Sequence, residues 1–262
     1  MKKFLSLLFL FIASGAFCAP VRSMVSARDS ANAEGESSVW PSAADYIQDG
    51  LIAMYDGIEN SDFGIHDESS SIWKDLIGDN DAIVSAGGTW LHNALSCNGS
   101  ACGAVANLFS TSEVGTVECV VSDVPENVDP RGIILGICAN SGTENEICPM
   151  IGKYYGRYVN AFSPGRSANF NNSFVSSKTT IQMSSLYTGS NSQAYLDTTQ
   201  VVLDKYGFPG MNTSFGFGGR YYNNAFSFCI ACKIHTVRIY SRQLSSEERA
   251  FNYRIDKERF GL

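Results

Sequence analysis

The chain has 262 residues, with 19 Lys and Arg against 26 Asp and Glu, for a formal net charge of −7. An acidic chain of this kind is a poor partner for nucleic acid or anionic lipid. At 44% hydrophobic and 12% aromatic residues it has ample core material, which excludes a disordered body, and its length suits one large β domain or two small ones.

Lys2 and Lys3 precede an apolar run over residues 4–17. That run is too short to span a bilayer and has the length of a secretory h-region. Ala16-Phe17-Cys18 places small residues at −3 and −1 of a cleavage site, so residues 1–18 are expected to be a signal peptide and the chain to be exported, whether secreted, periplasmic or surface-attached. Acylation at Cys18 would want a small residue before it, and Phe17 is not small. Beyond residue 18 no apolar stretch is long enough for a transmembrane helix. Residues 19–45, with "SARDSANAEGESS", lack apolar periodicity and read as a flexible leader, so the folded domain is expected over 46–262.

From Tyr46 onward, strand signals alternate with turn chemistry. "GLIAMYDGI" reads as a first strand, and "SIWKDLIGDNDAIV" as apolar segments around a Gly-Asp-Asn-Asp turn. In "GTVECVVSDV", Val117, Cys119 and Val121 share one face. "GIILGICAN" and "EICPMIGKYY" flank the polar "SGTENE" as a hairpin. "TTIQMSSLYTG", "SQAYLDTTQVVLD", "SFGFGGRYY" and "AFSFCIACKIHTVRIY" complete the strands. No βαβ alternation is visible, and short strands at this spacing with 24 glycines predict an all-β, two-sheet antiparallel sandwich. The chain then closes on a helix. Ser245-Ser246-Glu247-Glu248 is a capping box, and Ala250, Phe251 and Ile255 are expected to form its buried stripe.

In order along the chain, Gly50-Leu51-Ile52-Ala53-Met54-Tyr55-Asp56-Gly57, Trp73-Lys74-Asp75-Leu76-Ile77-Gly78-Asp79-Asn80-Asp81, Thr116-Val117-Glu118, Tyr195-Leu196-Asp197 and Thr236 to Ser245 with Glu248 resemble the laminin-G-like branch of the concanavalin A-like lectin/glucanase superfamily. The resemblance covers residues 46–262. Thr198 departs from the pattern, standing where the family usually has a turn glycine. The resemblance implies a concanavalin A-like jelly roll of roughly a dozen strands with a short C-terminal helix. It does not choose a function, because this fold carries lectins, glycosidases, adhesion modules and spacers.

A glycosidase needs two carboxylates flanking a bond. The alternating pair Glu144 and Glu146 lies in a polar hairpin tip, and Glu118 has no partner in sequence, so no catalytic residue is assigned. No Gly-x-Ser-x-Gly elbow is present, and His235 reads as a surface strand residue. Cys229 and Cys232, three apart on a strand, would face opposite sides and read as packing cysteines. Cys138 and Cys148 flank "SGTENE" almost symmetrically and are the expected disulfide. Calcium is the ion the resemblance implies, with Asp56, Asp75, Asp79, Asn80 and Asp81 as oxygen donors near two turns. Sugar binding calls for aromatic faces with polar neighbours. Two stretches have that composition: Tyr154, Tyr155, Arg157, Tyr158 and Asn160, and Arg220, Tyr221, Tyr222, Asn223 and Asn224. The expected function is a non-catalytic carbohydrate-binding, lectin-like or cell-surface adhesion module whose partner is a glycan or another surface component. A structural envelope protein and a glycoside-active enzyme with an unseen acid pair are the alternatives.

Overall fold

The structure is a computed structural model that describes residues 40–101, 103–110, 114–126, 131–139, 150–154, 157–161, 167–169, 180–187, 192–204, 212–222 and 225–262. The chain divides into two compact units, residues 1–39 and Trp40–Leu262, and the described residues belong to the second.

The strands in chain order are β1 (Leu51–Asp56), β2 (Ile72–Trp73), β3 (Ala82–Val84), β4 (Gly88–Leu91), β5 (Ala94–Asn98), β6 (Ala104–Ser110), β7 (Thr116–Ser122), β8 (Arg131–Ala139), β9 (Met150–Tyr154), β10 (Arg157–Ala161), β11 (Ser167–Asn169), β12 (Thr180–Tyr187), β13 (Ser192–Leu196), β14 (Thr199–Asp204), β15 (Asn212–Phe217), β16 (Arg220–Tyr222), β17 (Ala225–Ser227) and β18 (Ala231–Tyr240). A single α-helix among the described residues, α1 (Ser246–Phe260), follows.

The first sheet has the order β14-β13-β12-β7-β18-β5-β4, with β1 also paired to β18. The second has the order β11-β10-β9-β8-β15-β6-β3-β2, and β16 with β17 makes a separate ribbon. Every pairing between named strands is antiparallel. Both sheets feed one core: Tyr55, Val117, Cys119, Val121, Ile234 and Ile239 from the first join Trp73, Ala104, Ile133, Phe215 and Phe217 from the second. The expected mostly-β, antiparallel architecture with a C-terminal helix is thus present. Val117, Cys119 and Val121 do share the core-facing side of β7. At its centre Tyr55, Trp73, Trp90, Phe215 and Phe217 meet edge-on or tilted, with ring centroids 4.8–5.7 Å apart.

Strand β18 shows how sequence pattern and register interact. Cys232 and Ile234 face the core, as do Val237 and Ile239, so the parity changes between Ile234 and Val237. The cause is a register shift against β7, where Ile234 pairs with Val121 and Thr236 with Val120. One extra residue, His235, is inserted as a bulge. It is buried, with Nε2 2.8 Å from Ser122 Oγ and Nδ1 3.0 Å from the Asn93 carbonyl oxygen. This corrects the expectation of a surface strand histidine. Burial pushes its pKa below the ordinary imidazole value, outweighing the hydrogen bond to Asn93.

The outer face of the first sheet is also covered. Ala43, Tyr46, Leu51, Met54, Leu76, Tyr240, Leu244 and Ile255 form a second apolar cluster beneath α1. The helix begins as its sequence predicts. Ser245 Oγ accepts from the Glu248 amide at 3.2 Å, and Glu248 Oε2 accepts from the Ser245 amide at 2.8 Å. Arg242 donates to both Glu248 oxygens, which brings that carboxyl down to about 2. Gly261 closes the helix in the left-handed conformation at φ 71.

The buried face of α1 differs from the expected stripe. Ala250 is exposed and Phe251 keeps 38% of its surface in solvent, although Ile255 is buried. The face turned inward is Asn252, Ile255, Asp256, Arg259 and Phe260, a helical i, i+3, i+4, i+7, i+8 set that is mostly polar. Asp256 accepts from Arg238 Nη1 and Nη2, each at 2.7 Å, from Tyr46 Oη at 2.8 Å and from Gln182 Nε2 at 2.7 Å. Arg238 Nε also donates to Glu118 at 3.2 Å, and Asn252 and Ser184 donate to that carboxylate as well. Burial pushes the Glu118 carboxyl up, and Arg238 pulls it back only in part. Glu118 therefore has the partner its sequence neighbourhood does not show. Among the described residues no helix is long and apolar enough to cross a membrane.

The packed unit reaches back beyond Tyr46. Ala43–Asp45 form a turn of 3-10 helix capped by Ser42, with Ala43 buried, although the sequence places these residues in the leader.

Candidate functional site

A cleft of about 500 Å³ opens beside the C-terminal end of α1, lined by Trp40, Pro41, Ser42, Ile58, Glu59, Gly64, His66, His92 and Arg259. Its side chains come from four places in the chain, and the loop after β1 organises them. Asp56 Oδ1 accepts from the Ile58 and Glu59 amides at 2.9 and 3.0 Å, which turns the chain directly after the strand. Asn60 fixes the far side of this loop, donating to the Asp67 carbonyl at 2.8 Å and accepting from the Asp67 amide at 2.7 Å.

Arg259 then ties helix to loop. Its Nη1 and Nη2 donate to Asp56 at 2.7 and 2.9 Å, and Nη2 also donates to Glu59 at 3.0 Å. Glu59 Oε1 accepts from the Ala43 amide at 2.7 Å and Oε2 from the Gly64 amide at 2.9 Å, so one carboxylate joins the N-terminal segment, the loop and the helix. The guanidinium is buried beside Asp56 and keeps its charge, with its pKa well above the ordinary range. His66 and His92 meet edge to face, ring centroids 5.8 Å apart. Trp40 stands at the rim with 73% of its surface exposed.

Three polar atoms of these wall residues have no hydrogen-bond partner among the described residues: both ring nitrogens of His66 and Nε of Arg259. Glu68 Oε1 lies 3.9 Å from His66 Nε2, beyond hydrogen-bond reach. Each of these three atoms is itself buried from solvent, so the groups open to a guest are the exposed His92 ring and the Trp40 indole. The indole adds an apolar face. The carboxylates are differently placed, since Asp56 and Glu59 both direct their oxygens at Arg259 and backbone amides.

The residues singled out from sequence lie elsewhere. Arg220 Nε donates to Ser227 Oγ at 2.9 Å across the β16–β17 ribbon and its guanidinium sits over the Phe228 ring, while Tyr221 packs on Phe226 at 5.2 Å. Tyr222 pairs with Ala225 in that ribbon. Tyr154 pairs with Arg157, and Tyr158 with Lys153, in the β9–β10 hairpin of the second sheet, where Asn160 pairs with Ile151. Tyr155, Asn223, Asn224, Glu144, Glu146 and Cys148 lie outside the described residues, and Cys138 lies in β8 opposite Ser214.

Of the proposed calcium donors, Asp56 is engaged as above. Asp75 accepts from the amides of Met54, Ile77 and Asn80, Asp81 from Lys74 and the Asp75 amide, and Asp79 is exposed. Among the described residues no three His, Cys, Asp or Glu side chains gather as a metal site. The carboxylates of Asp56, Asp75 and Asp81 are thus directed at protein donors, a poor fit to a hard cation that takes several free oxygens.

Only Asp56 of the sequence candidates borders the cleft, through Arg259. Trp40, His66 and His92 carried no motif, being single residues in unrelated loops. The visible signal was indirect: His66 and His92 stand at turn positions between strands.

No protein-family profile matches the chain, and no curated protein matches it in sequence. In three dimensions it is similar to Trypanosoma rangeli sialidase in complex with 2,3-difluorosialic acid, at TM-score 0.62 and 15% identity over 79% of this chain and 33% of that one. A mutant of that sialidase displaying trans-sialidase activity matches at TM-score 0.61 and 15% identity over 80% and 33%. The carbohydrate-binding module CBM40 of Ruminococcus gnavus IT-sialidase matches at TM-score 0.43 and 12% identity over 53% and 82%. The chain spans about a third of the length of the T. rangeli structures, and at this identity the likeness is one of fold.

Proposed function

We propose that the chain is an exported, non-catalytic carbohydrate-binding module, a laminin-G-like jelly roll of concanavalin A type, and that it takes a glycan in the cleft beside α1. The observation that carries this reading is the pairing, in one concave site, of the exposed Trp40 indole with the exposed His92 ring. A sugar ring offers an apolar face for stacking and hydroxyls that both donate and accept. A non-catalytic role is supported by Asp56 and Glu59, whose oxygens are committed to Arg259 and the backbone, unlike an acid pair flanking a glycosidic bond. The solved neighbours include a sialidase in complex with sialic acid, but the glycan assignment rests on the cleft's own chemistry.

A glycan array probed with the full chain, with and without calcium, tests the reading. A specific hit is expected, weakened about tenfold by Trp40→Ala, which corresponds to ~1.4 kcal/mol. Silence across the array would overturn glycan binding in favour of a structural envelope protein. Binding that survives Trp40→Ala and His92→Ala but is lost in Tyr221→Ala would move the site to the β16–β17 ribbon. Hydrolysis of the bound glycan would make the protein an enzyme.

A further inference from the structure

Cys97 and Cys232 are far apart in sequence, and no motif joins them. The fold sets them directly opposite each other where β5 pairs with β18, in the register Ala231 to Asn98, Cys232 to Cys97, Lys233 to Ser96. Both face the core, each with 3% of its surface exposed. Directly opposed residues of an antiparallel ladder have Cα atoms about 4.5 or 5.5 Å apart, depending on the pair type. Both spacings lie within the roughly 4.4–6.8 Å that a disulfide spans. A Cβ on Gly103 would come within 2.5 Å of the Cys97 sulfur, and one on Gly218 would also collide with it, so two glycines keep this side of the sulfur clear.

We infer that Cys97 and Cys232 are a modification site, a pair that becomes a cross-strand disulfide when the chain folds in the presence of a disulfide oxidant of the glutathione class. In the step, one cysteine thiolate attacks the oxidant and releases one thiol, and the second cysteine displaces the other. Two cysteine thiols and one small disulfide become one protein disulfide and two small thiols. Two electrons pass to the oxidant, and the two protons go to its released thiols.

Cys119 is not the partner. It lies opposite Val237 on β18 and Met183 on β12. Val237 is five residues beyond Cys232, and at about 3.3 Å per residue the two sulfurs are separated by well over a disulfide's reach. Cys229 precedes β18, outside the β5–β18 pairing.

The bond would do structural work at a weak point. Strand β5 holds β18 over only four residue pairs, and β4 beyond it ends the sheet. A bridge there clamps this terminal hairpin and closes a loop of about 135 residues, which removes many conformations from the unfolded chain. The opposed Cys97 and burial push the Cys232 thiol well above its ordinary pKa, so Cys232 holds little thiolate once the chain is folded.

The test refolds the full chain from denaturant in a mixture of reduced and oxidised glutathione, blocks remaining thiols by alkylation, and maps unreduced peptides. The expected result is a peptide joining Cys97 to Cys232, with a loss of two hydrogens from the pair. The urea midpoint should be higher for the oxidised protein and fall on reduction. This shift is read on the unmutated chain, so it does not rely on any variant folding. Alkylation of both cysteines after oxidative refolding would overturn the inference, and so would a bridge from Cys97 to any other cysteine.

Discussion

Asp256 offers the sharpest test of what holds the closing helix. It is fully buried and accepts four hydrogen bonds, two from Arg238, one from Tyr46 and one from Gln182. Arg238 is itself fully buried, and its other ionic partner is Glu118, through Nε. Asp256→Ala therefore leaves a guanidinium without its bidentate partner in a place water does not reach. Removing one member of a buried pair typically costs about 3–5 kcal/mol, far more than an exposed pair. Asp256→Asn keeps the shape but removes the charge, and should cost roughly 3 kcal/mol for that reason alone. Phe251→Ala provides the contrast. With over a third of its surface in solvent, Phe251 contributes only part of a buried ring's value, and its loss should cost about 1 kcal/mol. Urea melts of the three variants at neutral pH give the ordering. A double variant, Arg238→Met with Asp256→Ala, should cost less than the sum of the singles by about 2 kcal/mol, because each single change strands the other residue. If Phe251→Ala proved more damaging than Asp256→Asn, or if the double variant were simply additive, the buried ionic network would not be what anchors α1.

Two further outcomes are expected. Because burial lowers the folded-state pKa of His235, the unfolded chain binds more protons than the folded one between that value and about 6.5. Its contribution to stability is present above about pH 6.5 and is lost as pH falls below it, so melts at about pH 7.5 and about pH 5.5 should differ less in His235→Gln than in the unmutated chain. An equal difference in both would show that His235 titrates as freely folded as unfolded. Ser245→Ala should cost about 1 kcal/mol through the lost cap, measured by the same urea melts, with no loss of ligand binding while the protein stays folded, since Ser245 lies at the opposite end of α1 from Arg259.

Local chemistry alone determined much of this protein. Alternation in Val117, Cys119 and Val121 assigned a face to β7, because side chains of a strand point in turn to either side. Ser245 and Glu248 located the start of α1, because a capping box satisfies helix amides with residues three apart. The turn at Asp197 and Thr198 forms without a glycine, because Asp197 tolerates the left-handed φ of 52. Strands β4, β5 and β6 were not legible, since segments such as "ALSCN" and "AVAN" carry small and polar residues that become strand only through their partners.

The tertiary structure decided the rest, wherever a side chain's role depends on a partner distant in sequence. Hydrophobicity assigned Phe251 to the buried face of α1, but Arg238, Tyr46 and Gln182 draw Asp256 inward, and the helix turns to that side. The bulge at His235 moved it from an expected exposed position to a buried one, since one inserted residue reverses the parity of a strand. The cleft exists only because Glu59 and Arg259 join the segment at Trp40, the loop at His66 and the end of the chain. Cys97 and Cys232 likewise meet by register alone. Pairing across long loops is a property of the whole fold, and a local reading has no term for it.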